Sequence, residues 1–343
     1  MRVPWRLKNA SRVIRNFFHY GLNKACNAFS RSRRKPQIIF VCKQFRGVTG
    51  STVAFCRIAN LLADRYAVDF VSKPCQAENT LLRRSVRIIG DDKPTHGEIY
   101  ITAGDVDMSY VRELHDSGKI VIPSMHAILT KDNDLRRLYT ASKAHLVGEV
   151  QLMHHTIDKE RYFVIPNCCP RIRKTRTTSN AGIVGRVDDP KKNVSASLDI
   201  ARSSNASEIH LWGGPESKKI DKNVYVHEWS FSLEKVYGSF DVLISMSREE
   251  SFGLTVIEAL SAGIPCVLSD IPAFRAFGNC PGVTLVSLND PMSGVRAVNE
   301  YLTRTFDLTT AIRDFWEQHY SEAAVGELWF SRIEPLLKAK RPL

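Results

Sequence analysis

Short apolar runs of strand length alternate with helix-length amphipathic stretches, and they do so in two series. A polar stretch without apolar periodicity, residues 171–180, separates them. In the first series strands are expected at 37–43, 67–71, 86–89, 98–102, 119–123, 144–147 and 162–165, with helices at 53–64, 108–117 and 149–157. The second series starts at Ala181, continues with a helix at 195–203, and has strands at 208–212, 224–227, 242–245, 266–269 and 283–286. Alternation of this kind implies a parallel sheet covered by helices on both faces. Two such α/β sheets, each doubly wound, fit comfortably into 343 residues. Ligands of such sheets bind beyond the carboxyl ends of the strands.

Two segments lie where such ligands bind. In Glu250-Ser-Phe252-Gly253-Leu254-Thr255-Val-Ile-Glu258 two carboxylates with seven residues between them lie across a loop-to-helix junction, and Gly263 and Pro265 stop the helix. A helix N-terminus offers unpaired N–H groups and partial positive charge, a ready place for a phosphate. A carboxylate on either side could hold hydroxyls, one of a sugar and one of a ribose. Taken alone, the pair reads equally as a dipole-favouring Glu and a solvated helical Glu. The second segment is Gly185-Arg186-Val-Asp-Asp-Pro-Lys191-Lys192-Asn193, just past an apolar strand. Arg186 and Lys192 flank an acidic turn and could neutralise a departing diphosphate; by itself the segment also reads as a solvated basic loop.

Together the two segments resemble the retaining glycosyltransferases of family 4, whose pattern is Gly-Arg, a Lys a few residues on, and a distal pair of glutamates with seven residues between them. Leu211-Trp-Gly-Gly-Pro215, Val164-Ile-Pro-Asn167 (followed by Cys168 where the family has Gly) and Asp241-Val-Leu-Ile-Ser245 extend the likeness. It is specific over about 181–275 and sparse over 37–335. The resemblance implies the GT-B fold: two Rossmann-like doubly wound parallel-sheet domains facing each other across a cleft. The implied division is a basic arm 1–35, an acceptor domain 36–170, a linker 171–180, a donor domain 181–321, and a C-terminal helix, 322–343, crossing back to the first domain.

The implied chemistry is retaining transfer of a sugar from a UDP- or GDP-sugar to a glycan or lipid-linked acceptor. No metal or other cofactor is expected; the nucleotide-sugar is a co-substrate. Arg186 and Lys192 would stabilise charge on the leaving diphosphate. Glu250 would hold sugar hydroxyls and Glu258 the ribose. Gly185, Phe252 and the backbone of Gly253, Leu254 and Thr255 would complete the donor site. Gly50 ends a glycine-containing first loop, 47–50, that is similar to the family's phosphate-approaching loop but also reads as an ordinary strand-to-helix turn. His126, just past a strand, resembles the family histidine that contacts the donor sugar. Asp105-Val-Asp107 could be a metal-binding Asp-x-Asp, but its place before a helix favours an N-cap.

Net charge is +12, and ten Lys or Arg with no acid fall in residues 1–35, leaving +2 elsewhere. Val3, Leu7, Ala10, Ile14 and Phe17 share one helical face there, so an amphipathic helix lying on an anionic membrane surface is expected. An ordinary packed helix and an organelle presequence are the other readings of this arm. No aromatic residue interleaves the basic face to stack bases, so nucleic acid is not an expected partner. Eight scattered cysteines without Cys-x-x-Cys spacing point to buried thiols in a reducing compartment. The expected location is the cytoplasmic face of a membrane, peripherally bound. A nucleotide-sugar epimerase of the same fold and an inactive membrane-bound scaffold are the competing functions; a phosphorylase would be larger and carry a pyridoxal lysine.

Overall fold

The computed structural model describes residues 38–42, 49–71, 81–90, 93–104, 106–130, 136, 138–139, 143–304 and 307–339. The basic arm 1–35 and Gly47 lie outside them. The chain forms two units, residues 1–166 with 326–343, and residues 167–325.

In the first unit seven parallel strands form one sheet: β1 (Ile38–Val41), β2 (Val68–Val71), β3 (Val86–Ile89), β4 (Ile99–Ala103), β5 (Ile120–Met125), β6 (Ala144–Leu146) and β7 (Tyr162–Val164). Their order is β3-β2-β1-β4-β5-β6-β7. Apolar residues run unbroken in β1 because both faces are covered. Helix α1 (Gly50–Leu62) starts at Thr49, whose hydroxyl accepts from the Thr52 N–H at 3.3 Å. It packs Phe55 edge-on to Phe40, with ring centroids 5.1 Å apart, while Phe40 stacks on Phe70 at 6.0 Å. Burying a Phe contributes about 1.5–3 kcal/mol, so this triad ties α1 to β1 and β2. Helix α2 (Met108–Asp116) is capped by Asp107, which accepts from the Ser109 N–H at 2.9 Å. The N-cap reading of Asp107 therefore holds.

The helix expected at 149–157 is a single 3-10 turn, Glu149–Leu152. Gln151 explains the difference. Its buried amide accepts from the Val147 N–H at 2.7 Å and donates to the carbonyls of Met125 and Ala127, both at 2.8 Å. Those bonds satisfy backbone groups where β5 and β6 end, and Gln151 lies on the inward side of the turn to make them.

The second unit repeats the plan with β8 (Ala181–Val184), β9 (Ile209–Gly214), β10 (Lys218–Asp221), β11 (Val224–Glu228), β12 (Val242–Ser245), β13 (Cys266–Ser269) and β14 (Val283–Val286). The order is β10-β11-β9-β8-β12-β13-β14. Only β10, among the described strands, is antiparallel, paired with β11 at the sheet edge. It departs from the purely parallel expectation because its Lys-Lys-Ile-Asp sequence is wholly exposed and has no apolar face to read. The helices are α3 (Val194–Ser203), α4 (Leu233–Tyr237), α5 (Leu254–Ser261), α6 (Pro272–Arg275), α7 (Pro291–Thr303), α8 (Thr309–Tyr320) and α9 (Glu322–Ala339). From Gly326 onward α9 belongs to the first unit, where fully buried Trp329 meets His145 at 4.6 Å and Phe163 at 5.9 Å.

The division between units falls at Pro166/Asn167 rather than within 171–180. The polar segment is held to the second unit instead. Asp241, at the head of β12, accepts from the Thr178 hydroxyl at 2.7 Å and pairs with Lys174 at 2.9 Å. Ser261 on α5 accepts from the Ile172 N–H at 2.9 Å and donates to the Pro170 carbonyl at 2.8 Å. Polar composition here marks a strap fastened by side-chain oxygens. Cys42, Cys56, Cys168, Cys169, Cys266 and Cys280 are all buried, and burial pushes the Cys280 thiol up to about 11. Among the described residues no helix is long and apolar enough to cross a membrane.

Candidate functional site

Strand order in the second unit reverses at β8, which pairs with β9 on one side and β12 on the other. The carboxyl ends of β8 and β12, on either side of such a reversal, are where doubly wound sheets bind ligands. The loop after β8 carries Gly185, Arg186 and Lys192; the loop after β12 carries Glu250.

The β8 loop is built on backbone fit and charge. Gly213, with φ +107°, lets β9 pass so close to Gly185 that a Cβ there would run into the Gly185 carbonyl. Asp189 caps the short 3-10 turn Pro190–Lys192, accepting from the Lys191 N–H at 3.0 Å, and also receives the Arg186 guanidinium. Burial raises the Asp189 pKa, but the Lys191 N–H and Arg186 outweigh it and hold the carboxyl below its ordinary value. Asn193 then turns through the left-handed region (φ 47°) into α3.

Two ion pairs and a backbone bond stitch this loop to the β12 loop. Lys192 Nζ lies 2.6 Å from Glu250 Oε1, with side-chain exposures of 27% and 12%. Lys191 pairs with Glu249, and the Arg248 N–H donates to the Lys191 carbonyl at 2.8 Å. Buried Ser247 donates to the same Glu250 oxygen at 3.0 Å. Ser269 on β13 donates to the Ser247 carbonyl. Glu250 is thus held by a cation and a hydroxyl.

Gly253, at φ +120°, turns the chain into α5, a conformation that a side chain would strain. It supplies no side-chain cap, so the first N–H groups of α5, including those of Leu254 and Thr255, point out of the helix start. Phe252 is turned inward, 5.9 Å from both Phe277 and Tyr320, so its ring supports the loop. Glu258, one turn into α5, is buried, and the Tyr237 hydroxyl of α4 lies 2.7 Å from its Oε2. Trp212 and His227 stack at 4.1 Å on adjacent strands β9 and β11 near the same strand ends. Burial, then His210 and Lys235, lower the His227 pKa to about 4.

The structure brings Lys192 and Glu250 into contact, joins Arg186 to Asp189, and ties Glu258 to Tyr237. In the first unit, Gly50 is the first residue of α1, and His126 follows β5 with its ring 6.2 Å from that of Phe55. Asp189, Tyr237 and Ser247 were missed by sequence reasoning. A polar residue within a tight turn, a tyrosine at a helix end and a serine after a strand carry no spacing signal of their own.

Residues 178–304 match the family model of glycosyl transferases group 1. The match lies within the second unit. The E. coli O-antigen biosynthesis glycosyltransferase WclY is 37% identical over 59 residues, 17% of this chain and 17% of WclY. The Staphylococcus aureus poly(ribitol-phosphate) alpha-N-acetylglucosaminyltransferase is 25% identical over 130 residues, 33% of this chain and 26% of that enzyme. The chain therefore matches well under two thirds of the length of these curated relatives. Among solved structures, Anabaena HepE in complex with UDP and glucose superposes with a TM-score of 0.71 at 13% identity, covering 87% of this chain and 99% of HepE. That likeness extends the fold class beyond the matched residues: both units are parallel-sheet α/β units of the GT-B type.

Proposed function

We propose that the protein is a retaining glycosyltransferase of family 4. It transfers a sugar from a UDP- or GDP-sugar to a glycan or lipid-linked acceptor, without a catalytic metal, at the cytoplasmic face of a membrane. One observation carries the reading: Lys192 and Glu250, from loops on opposite sides of the β8/β12 reversal, meet at 2.6 Å. That pair offers a cation for a phosphate and a carboxylate for hydroxyls. The relatives support it, since HepE is in complex with UDP and glucose and WclY acts in O-antigen biosynthesis.

In this reading the diphosphate enters against Lys192 and Arg186 and the first N–H groups of α5. Those donors are preorganised for the charge that builds as the glycosidic bond breaks. Glu250 turns to the sugar hydroxyls, with Ser247 keeping its carboxylate in place. Glu258 takes the ribose. For His126 and Gly50 the resemblance implies contacts with the sugar and the phosphate. The acceptor proton passes to the leaving phosphate, so no protein base is assigned. Residues 1–35 bring the enzyme to an anionic surface.

A thermal-shift screen of UDP-, GDP- and ADP-sugars, followed by assay of free nucleoside diphosphate with and without EDTA, tests the proposal. A donor at 100 times its Kd adds about 2.7 kcal/mol of apparent stability. Binding of no nucleotide-sugar would overturn the reading, and loss of turnover in EDTA would overturn its metal-free chemistry. Co-sedimentation with phosphatidylserine vesicles, lost on deleting residues 1–35, tests the surface assignment.

A further inference from the structure

The segment that delivers Glu250 leaves the second sheet while it is still buried. The last register pair between β12 and β13 is Ser245 with Leu268, and β12 ends at Ser245. The next two residues, Met246 and Ser247, are 1% and 0% exposed. Their backbone groups lie past the last register pair and out of reach of water, where a polar group without a partner is costly. Side-chain hydroxyls meet them. Ser197 Oγ accepts from the Met246 N–H at 2.9 Å, and Ser269 Oγ donates to the Ser247 carbonyl. Both of these serines are themselves buried.

The two hydroxyls come from different elements. Ser269 is the last residue of β13. Ser197 lies in the first turn of α3, the helix into which the Lys192 loop leads, and its own N–H donates to the Asn193 carbonyl at 3.4 Å. One hydroxyl therefore fastens the Glu250 segment to the helix that follows Lys192. The peptide group joining Ser247 to Arg248 is gripped at both ends, its carbonyl by Ser269 and its N–H by the Lys191 carbonyl at 2.8 Å. Proton direction continues the pattern toward the carboxylate. Glu250, paired with Lys192, only accepts, so Ser247 Oγ gives its one proton to Glu250 Oε1 at 3.0 Å. Ser245 Oγ, 3.3 Å from Ser247 Oγ, is then the donor in that contact. An apolar side chain in place of Ser197 or Ser269 would fill the space and leave a buried backbone group unpaired.

We propose that Ser197 and Ser269 are positioning residues: their hydroxyls replace the sheet ladder for Met246 and Ser247 and so fix where Glu250 stands beside Lys192. The anchoring is a property of the protein alone, whereas its consequence for sugar transfer rests on the function proposed above.

Amide hydrogen exchange on the full chain reads the anchoring. In the wild type the Met246 amide should be as protected as those of Leu243 and Ile244 inside β12. Ser197→Ala should speed exchange at Met246 roughly 10-fold, the equivalent of one hydrogen bond, and Ser269→Ala should do the same at Arg248, with Leu243 and Ile244 unchanged in both. Ser197→Thr and Ser269→Thr, which keep the hydroxyl, should restore protection. In an assay of nucleoside diphosphate release the two Ala variants should lower kcat roughly 10-fold, since displacing a reacting group by about 1 Å can cost ~100-fold. The Kd for UDP or GDP, whichever stabilises the wild type, should stay unchanged, and the Thr variants should recover most of the turnover. Ser269→Ala with the two Thr variants decides the matter if Ser197→Ala does not fold. Exchange that quickens uniformly through β12, or not at all, overturns the anchoring. Local loss of protection with wild-type kcat overturns the positioning role. If the wild-type protein releases nucleoside diphosphate from no nucleotide-sugar, the proposed function falls and the positioning role with it, while exchange still decides the anchoring.

Discussion

Both sheets reverse their strand order at the first strand of the unit, β2-β1-β4 in one and β9-β8-β12 in the other, yet they arm their strand ends differently. The first unit places a neutral line there, His126–Ser124–His145, with Ser124 and His145 buried. The second places charges there, Lys192 with Glu250 and Arg186 with Asp189, partly open to water. The shared topology supplies a crevice and leaves its chemistry to the loops. Neutral groups can discriminate donors from acceptors, whereas charges suit an anionic ligand such as the diphosphate proposed above.

Four measurements would break or sharpen this contrast, in descending order of effect. Lys192→Ala should lower transfer by ~100-fold or more, the scale for removing one donor to a developing oxyanion, while the protein stays folded. Glu250→Gln should lower it comparably through the sugar; near-normal turnover in either variant would remove the ionic role from the second unit.

A donor titration probes the ribose side. Tyr237→Phe removes the hydroxyl 2.7 Å from Glu258. Losing a hydrogen bond to a charged group costs about 1.5–3 kcal/mol, so KM for the donor should rise roughly 10-fold with kcat almost unchanged. An equal fall in kcat would place Glu258 on the reacting sugar instead.

Acid titration addresses the neutral line. The folded pKa values of His126 and His145, about 3 and about 4, lie below the ordinary 6.5. Their neutral forms thus favour folding fully above pH 6.5, and that contribution is lost as pH falls toward those values. Each imidazole should account for about 2 kcal/mol between pH 6.5 and 5. His145→Gln should flatten the pH slope of the urea midpoint over that window; an unaltered slope would mean the line is not held neutral.

The smallest effect concerns the strap. Burial raises the pKa of Asp241, but Lys174 and Thr178 outweigh it and leave the carboxyl below its ordinary value. Its contribution is present above the unfolded carboxylate pKa and disappears as pH falls through the lower folded value. Asp241→Asn should destabilise the second unit by about 1 kcal/mol at pH 7 and weaken that acid dependence, measured by denaturant midpoints.

Much of this architecture was legible in the chain. Strands covered on both faces are mostly apolar, so β1, β12 and β13 announce themselves in short runs. Asp107 before Met108 marked a helix start, because a short acidic side chain caps better than it sits inside a helix. The candidate residues were legible by type and place: cations past one strand and carboxylates past another. What escaped detection was of another kind. Gln151 ends a helix before it forms because of two carbonyls far away in sequence. The polar strap 171–180 looks like a linker until Asp241 and Ser261 are seen to hold it.

Periodicity and residue type by themselves determined two α/β series and the charged residues at their strand ends, because burial on one or both faces leaves a pattern within a few neighbouring residues. Partner choice was decided only in three dimensions. Lys192 meets Glu250 across 58 residues, Tyr237 meets Glu258 across 21, and Ser124 meets His145 across 21. Such contacts depend on which strands become neighbours when the sheet order reverses, and hydrogen-bond polarity exists only once those neighbours are in place.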